Sequence, residues 1–199
     1  MSLFELLASK PVDFDAVSSY LDSLDSDARI AELRTIPGRL QARLWELAEG
    51  KRKLTIDHFV PEQVPHQAWI RHYGRNSLPM FSDFEKRFAR PKKGARELWG
   101  YNHSPAMGLV GPGYFVLRKG AGNDGELDID YYRVPPAEIE GGPAIKSNTF
   151  GLSFFVYGKM VDVMRGVSEH VTVGRAYKFG DATNNYFLLC RQEVVDFHV

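Results

Sequence analysis

His72 and His103 are the side chains here best suited to moving a proton near neutral pH, and each stands among groups that orient polar ligands. The run from Pro65 to Ser77 supplies Trp69, Arg71, Tyr73, Arg75 and Asn76. The run from Trp99 to Pro105 supplies Tyr101, Asn102 and Ser104. Aromatic walls with a few amide, imidazole and guanidinium groups make up a pocket for a polar ligand. Arg71, His72, Arg75, Asn102, His103 and Tyr114 are therefore the expected ligand-binding residues. The competing account is a pair of loops whose Gly, Asn, Ser and Pro serve turns. If chemistry occurs, His72 or His103 would transfer the proton and Arg71 or Arg75 would stabilise developing negative charge.

Other candidates have stronger structural explanations. His66 and His72 are six residues apart, which matches no metal-ligand spacing, so no metal site is assigned. Glu126, Asp128 and Asp130 alternate opposite Leu127, Ile129 and Tyr131, which reads as the solvated face of an antiparallel strand. Gly108, Gly111 and Gly113 precede an apparent strand, whereas a phosphate-cradling loop leads into a helix. Cys190, the sole cysteine, excludes an internal disulfide and lies in an apolar run that suits a buried thiol. No sequence signature identifies a catalytic residue or a cofactor.

The charge distribution is polarised. Residues 71–96 hold eight basic side chains against two acids, residues 121–140 hold six acids against Arg133, and the whole chain is neutral. Net neutrality argues against a dedicated nucleic-acid binder. The segment 86–96 either pairs internally or docks a partner, with internal pairing the stronger reading. The acidic N-terminal segment is a second surface through which a protein-protein interaction module would work. No apolar run approaches the ~20 residues that span a bilayer, and no secretory signal is evident, so a soluble cytoplasmic protein is expected.

The elements that must position these groups follow from periodicity. Residues 1–50 read as helices, with Asp13 and Asp25 or Ser26 as N-caps and Leu40, Leu44 and Leu47 on one face after Pro37. Leu54–Val60 reads as a strand followed by irregular chain. Phe81, Phe84 and Phe88 fall at i, i+3, i+7 and predict a helix with an aromatic core face, ended by Pro91. Hairpins are expected around residues 120–125 and 180–185, and a buried helix over 152–166. The expected fold is α+β in one domain, 1–199: an N-terminal helical layer (1–50) on an antiparallel sheet or partly closed barrel with covering helices (51–199). A cavity at the mouth of such a sheet favours non-enzymatic binding of an anionic or amphipathic small molecule.

Overall fold

The computed structural model describes residues 1–78, 82–104, 107–120, 122–149 and 151–192, except the side chains at 151, 152 and 155. Four helices come first: α1 (Leu3–Ala8), α2 (Phe14–Ser23), α3 (Ser26–Arg34) and α4 (Gly38–Leu47). Their starts are set by side chains that satisfy otherwise orphaned amides. Ser2 and Glu5 form a capping box, the Asp13 carboxylate accepts from the Asp15 and Ala16 amides, and Asp25 accepts from Ala28. Leu40 and Leu44 are buried and Leu47 packs at the edge of the same apolar cluster, as the periodicity predicts.

Eight strands then close into an antiparallel barrel in chain order: β1 (Ile70–Asn76), β2 (Asp83–Ala89), β3 (Leu98–His103), β4 (Phe115–Lys119), β5 (Leu127–Asp130), β6 (Met160–Gly166), β7 (Val171–Lys178) and β8 (Asp181–Arg191). Pairing of β1 with β8, from His72 opposite Arg191 to Asn76 opposite Phe187, removes the last free edge. The barrel is thus closed, not partly closed. A short helix α5 (Ile56–Phe59) precedes it, α6 (Met107–Val110) lies between β3 and β4, and α7 (Gly151–Tyr157) between β5 and β6.

Two cores result from strand alternation. Outward residues of β1, β7 and β8, including Tyr73, Val171, Val173, Leu188 and Cys190, pack under the helical layer. Inward residues, including Phe88, Phe115, Ile129, Met164 and Leu189, fill the barrel. Three inward glycines make room for the largest rings. Gly74, Gly100 and Gly174 stand opposite Phe84, Phe115 and Phe187, and a β-carbon at any of them would lie within 2.4 Å of the facing ring. Glycine at these positions lets an aromatic side chain lie flat across the strand.

Several local expectations change. The aromatic helix is strand β2, in which Phe84 and Phe88 share the inward face; Phe81 lies outside the described residues. Leu54–Val60 is not a strand: α5 sends Phe59 into the barrel core, with Leu54, Val60 and Val64 sealing that end. The irregular chain after it contains β1. Residues 152–166 divide into α7 and β6 at Gly158, whose amide closes the last helical turn onto the Phe154 carbonyl. The 120–125 hairpin joins β4 to β5, while β7 and β8 turn at Phe179 and Gly180, both at positive φ, earlier than expected. Asp128 and Asp130 are buried, not solvated: Arg118 on β4 spans both, with its Nε 3.1 Å from Asp130.

Candidate functional site

The β1–β2, β3–β4, β5–β6 and β7–β8 connections share one end of the barrel, where α6 and α7 stand beside an opening. Behind it lies a cavity of about 270 Å³. Phe84, Val110, Tyr157, Met160 and Phe187 form apolar wall, and four polar side chains meet within it: Lys86, Asn102, Tyr131 and Asp162. Lys86 projects inward from β2 and faces Asn102 across the β2–β3 register. Tyr131 continues the inward stripe of Leu127 and Ile129, and Asp162 projects from β6 opposite Ala176. The small Ala176 side chain leaves space beside the carboxylate.

The lysine is the hub. Its Nζ donates to Asn102 Oδ1 at 2.8 Å and to the Tyr131 hydroxyl, and lies 3.4 Å from Asp162 Oδ2. Those three oxygens match the three N–H bonds of an ammonium group. The rings of Phe84, Phe115, Tyr131 and Phe187 surround the same nitrogen with centroids 5.1–5.5 Å away, within cation–π range. Asn102 Nδ2 donates to the Gly113 carbonyl at 2.9 Å, which turns its oxygen toward Lys86.

Lys86 and Asp162 are each only 4% exposed at the side chain, so desolvation governs their titration. Burial pushes the Lys86 ammonium below its ordinary range against the pull of Asp162. It pushes the Asp162 carboxyl upward against the pull of Lys86 and Tyr131. Both shifts bring the ion pair closer in energy to its neutral form, an amine beside a carboxylic acid. Burial, reinforced by the Asp162 charge, raises the Tyr131 phenol well above its usual value and Tyr157 to about 12, so both remain hydroxyl donors.

Among the residues singled out from sequence, Asn102 lines this cavity. Arg71 and Arg75 alternate with the inward residues of β1; Arg71 is exposed, and Arg75 contacts Asp83 at 3.3 Å. His103 shares the outward face of β3, opposite Glu85. Tyr114 is buried against Tyr101 and donates to the Pro143 carbonyl, anchoring the long β5–α7 connection. Asn148 pins that connection again through the Tyr114 and Tyr131 carbonyls. The basic segment is dispersed: Lys86 enters the barrel, Arg87 pairs with Glu85, Arg90 binds Asp57 at 2.7 Å, and Lys92 and Lys93 face solvent.

His72 points inward but is sealed from the cavity between Phe59 and Phe88, with both ring nitrogens out of reach of solvent. Burial, then the nearby His58 and Arg191, holds its pKa well below the ordinary 6.5, while the smaller pull of the Ile70 carbonyl opposes this. His58, also buried near Arg191, is lowered to about 3. Below pH 6.5 the unfolded chain binds protons that the folded chain refuses. Their contribution to stability is complete above that value and declines as pH falls through it. His72→Phe is therefore expected to retain neutral-pH stability within about 1 kcal/mol and flatten the acid decline by up to ~1.4 kcal/mol per pH unit. Urea unfolding between about pH 5 and 7 measures both effects. An unchanged acid slope would contradict the neutral, sealed histidine.

Lys86, Tyr131 and Asp162 were not among the ligand-binding residues expected from sequence, although two of them leave the same signature. Lys86 sits between Phe84 and Phe88 at two-residue spacing, and Asp162 between Met160 and Met164. A single charge inside an apolar stripe of strand period marks a charge facing the core. Among the described residues, no helix is long and apolar enough to cross a membrane. Comparison with protein-family models, curated proteins and solved structures finds no match.

Proposed function

We propose that this protein binds a compact amphipathic small molecule in the barrel mouth, its polar head toward Lys86, Asn102, Tyr131 and Asp162 and its apolar body against Phe84, Met160 and Phe187. The observation that carries this reading is a cavity whose apolar walls end on a buried, hydrogen-bonded ion pair. Such a site holds one oriented polar contact inside apolar surroundings, the usual chemistry of small-ligand recognition. Lys86 takes the anion-attracting role that the sequence suggested for Arg71 and Arg75. A carboxylate or carbonyl oxygen is the matching head group, because it can replace one of the three oxygens that Lys86 holds and accept from its ammonium.

Binding without turnover is favoured over acid/base catalysis by histidine, because His72 is sealed and His103 lies on the outward face of the wall. The exposed Leu109, Val156 and Phe179 at the mouth end add apolar surface along the route of entry. A cytoplasmic location belongs to the same proposal, supported by a single buried thiol that suits a reducing compartment.

Octanoate, octanamide and octanol provide a graded test by NMR titration of labelled protein. Octanoate and octanamide are expected to shift the Asn102 side-chain amide and the backbone amides of Phe84, Met160 and Phe187, with octanol weaker by about tenfold. Ala176→Leu places new volume beside Asp162 and is expected to abolish these shifts while preserving the folded spectrum. Equal binding by the filled variant would place the ligand elsewhere.

A further inference from the structure

We propose that Lys86 captures an aldehyde or ketone entering the barrel mouth as a covalent imine, with Asp162 as its proton partner and Tyr131 as the donor to the carbonyl oxygen. This rests on the reading that the mouth cavity admits a ligand, and goes beyond it by assigning a reactive carbonyl group and a bond. Three observations support it. Lys86 and Asp162 both line a cavity that opens at the barrel end, so the amine stands where a ligand can reach it. The pair is close enough, at 3.4 Å, for the ammonium proton to be handed to the carboxylate during ligand entry. The surrounding rings of Phe84, Phe115, Tyr131 and Phe187 provide the desolvated surroundings that make a lysine amine nucleophilic. Burial that lowers Lys86 and raises Asp162 favours the same transfer.

The steps balance without an oxidant or reductant. Asp162 takes a proton from the Lys86 ammonium, and the amine lone pair then forms a C–N bond to the carbonyl carbon while the carbonyl π pair moves to oxygen. A proton passes from the new ammonium nitrogen to that oxygen, which Tyr131 holds by hydrogen bonding, giving a neutral carbinolamine. The Asp162 carboxylic acid protonates the hydroxyl as the C–O bond breaks, and one water leaves. The product is a protonated imine at Lys86 beside the Asp162 carboxylate, with the same net charge as the original pair. A salt bridge thus persists through ligand capture, so the bound state buries no uncompensated charge.

The test uses trans-cinnamaldehyde with borohydride trapping on the full chain, followed by peptide mapping, with cinnamyl alcohol as the probe that cannot form an imine. Reduced adduct is expected at Lys86 at least about tenfold faster than at the exposed Lys92 and Lys93, despite its burial. An absorption band shifted to longer wavelength should report the protonated imine before reduction. Asp162→Asn is expected to slow adduct formation by about tenfold or more and Lys86→Met to remove it. Because Lys86, Lys92 and Lys93 compete within one unmodified protein, the comparison stands even where a variant fails to fold. If cinnamyl alcohol perturbs the cavity amides but Lys86 is labelled no faster than Lys92 and Lys93, imine capture is overturned and simple binding survives. If neither compound reaches the cavity, both readings fall.

Discussion

Asp162→Leu is expected to destabilise the protein by about 3–5 kcal/mol, whereas the double variant Lys86→Met with Asp162→Leu should return to the parent's stability or exceed it. The asymmetry follows from where the charges lie. Both partners are almost wholly buried inside a barrel whose remaining filling is largely aromatic and aliphatic. Removing the carboxylate strands the ammonium with only the Asn102 and Tyr131 oxygens as partners. Removing both charges eliminates both desolvation costs and leaves side chains of suitable volume for the existing space. The two variants should separate again with pH. With Asp162 gone, Lys86 in the folded chain holds its proton less tightly than in the unfolded chain, whose ordinary value is 10.5. The unfolded state then binds more protons across the interval below that value, so the single variant gains stability as pH rises through it. Urea unfolding of parent, single and double variants at about pH 7 and 9 gives all the required comparisons. A double variant as unstable as the single one would mean that the pair is needed for barrel packing. Restored stability without ligand binding would mean that it is retained for function.

This same pair explains why the site was hard to read. The N-terminal layer was legible because its signals are local: Asp13 and Asp25 bond to amides two or three residues onward, and Leu40, Leu44 and Leu47 repeat at helical spacing. Strand β2 carries its buried charge on the inward stripe. Lys86 interrupts the two-residue pattern of Phe84 and Phe88, and Phe81 completes an accidental helical one. In β1 the inward stripe runs His72, Gly74, Asn76, and glycine contributes no side chain to mark it. The volume above Gly74 is supplied by Phe84 from the next strand, a long-range complement invisible to a local window. Asp128 and Asp130 kept a clean alternation with Leu127 and Ile129, yet Arg118 across the β4–β5 pair spans both, and the Tyr132 amide and Arg133 just beyond β5 also reach Asp130. Alternation separates the two faces of a strand; it does not say which face is wet once a neighbouring strand's side chain covers the outer one.

Deletion of residues 1–50 is expected to yield a chain that aggregates when expressed, because the helical layer covers the outward face of β1, β7 and β8. Tyr73, Val167, Val171, Val173, Tyr186, Leu188 and Cys190 are all buried in the cluster that this layer completes. At about 1.5–3 kcal/mol for each fully buried large apolar side chain, exposing them forfeits on the order of 10 kcal/mol, comparable with the whole stability of an ordinary domain. Polar contacts reinforce the seam. The Arg165 guanidinium donates to the Trp45 carbonyl at 2.9 Å and stacks 3.8 Å from the Trp45 ring, while binding Glu126 at 2.6 Å. The Asp22 carboxylate accepts from the Glu169 amide in the β6–β7 turn. Layer and barrel are therefore expected to unfold together, with one transition by circular dichroism and by tyrosine and tryptophan fluorescence. Leu44→Asp provides the milder version, placing one charge in the seam without shortening the chain, and should lower the melting temperature in the same single transition. A chain beginning at Lys51 that remained monomeric by size exclusion, bound no hydrophobic dye and melted at the parent's temperature would show that the layer is a separate appendage.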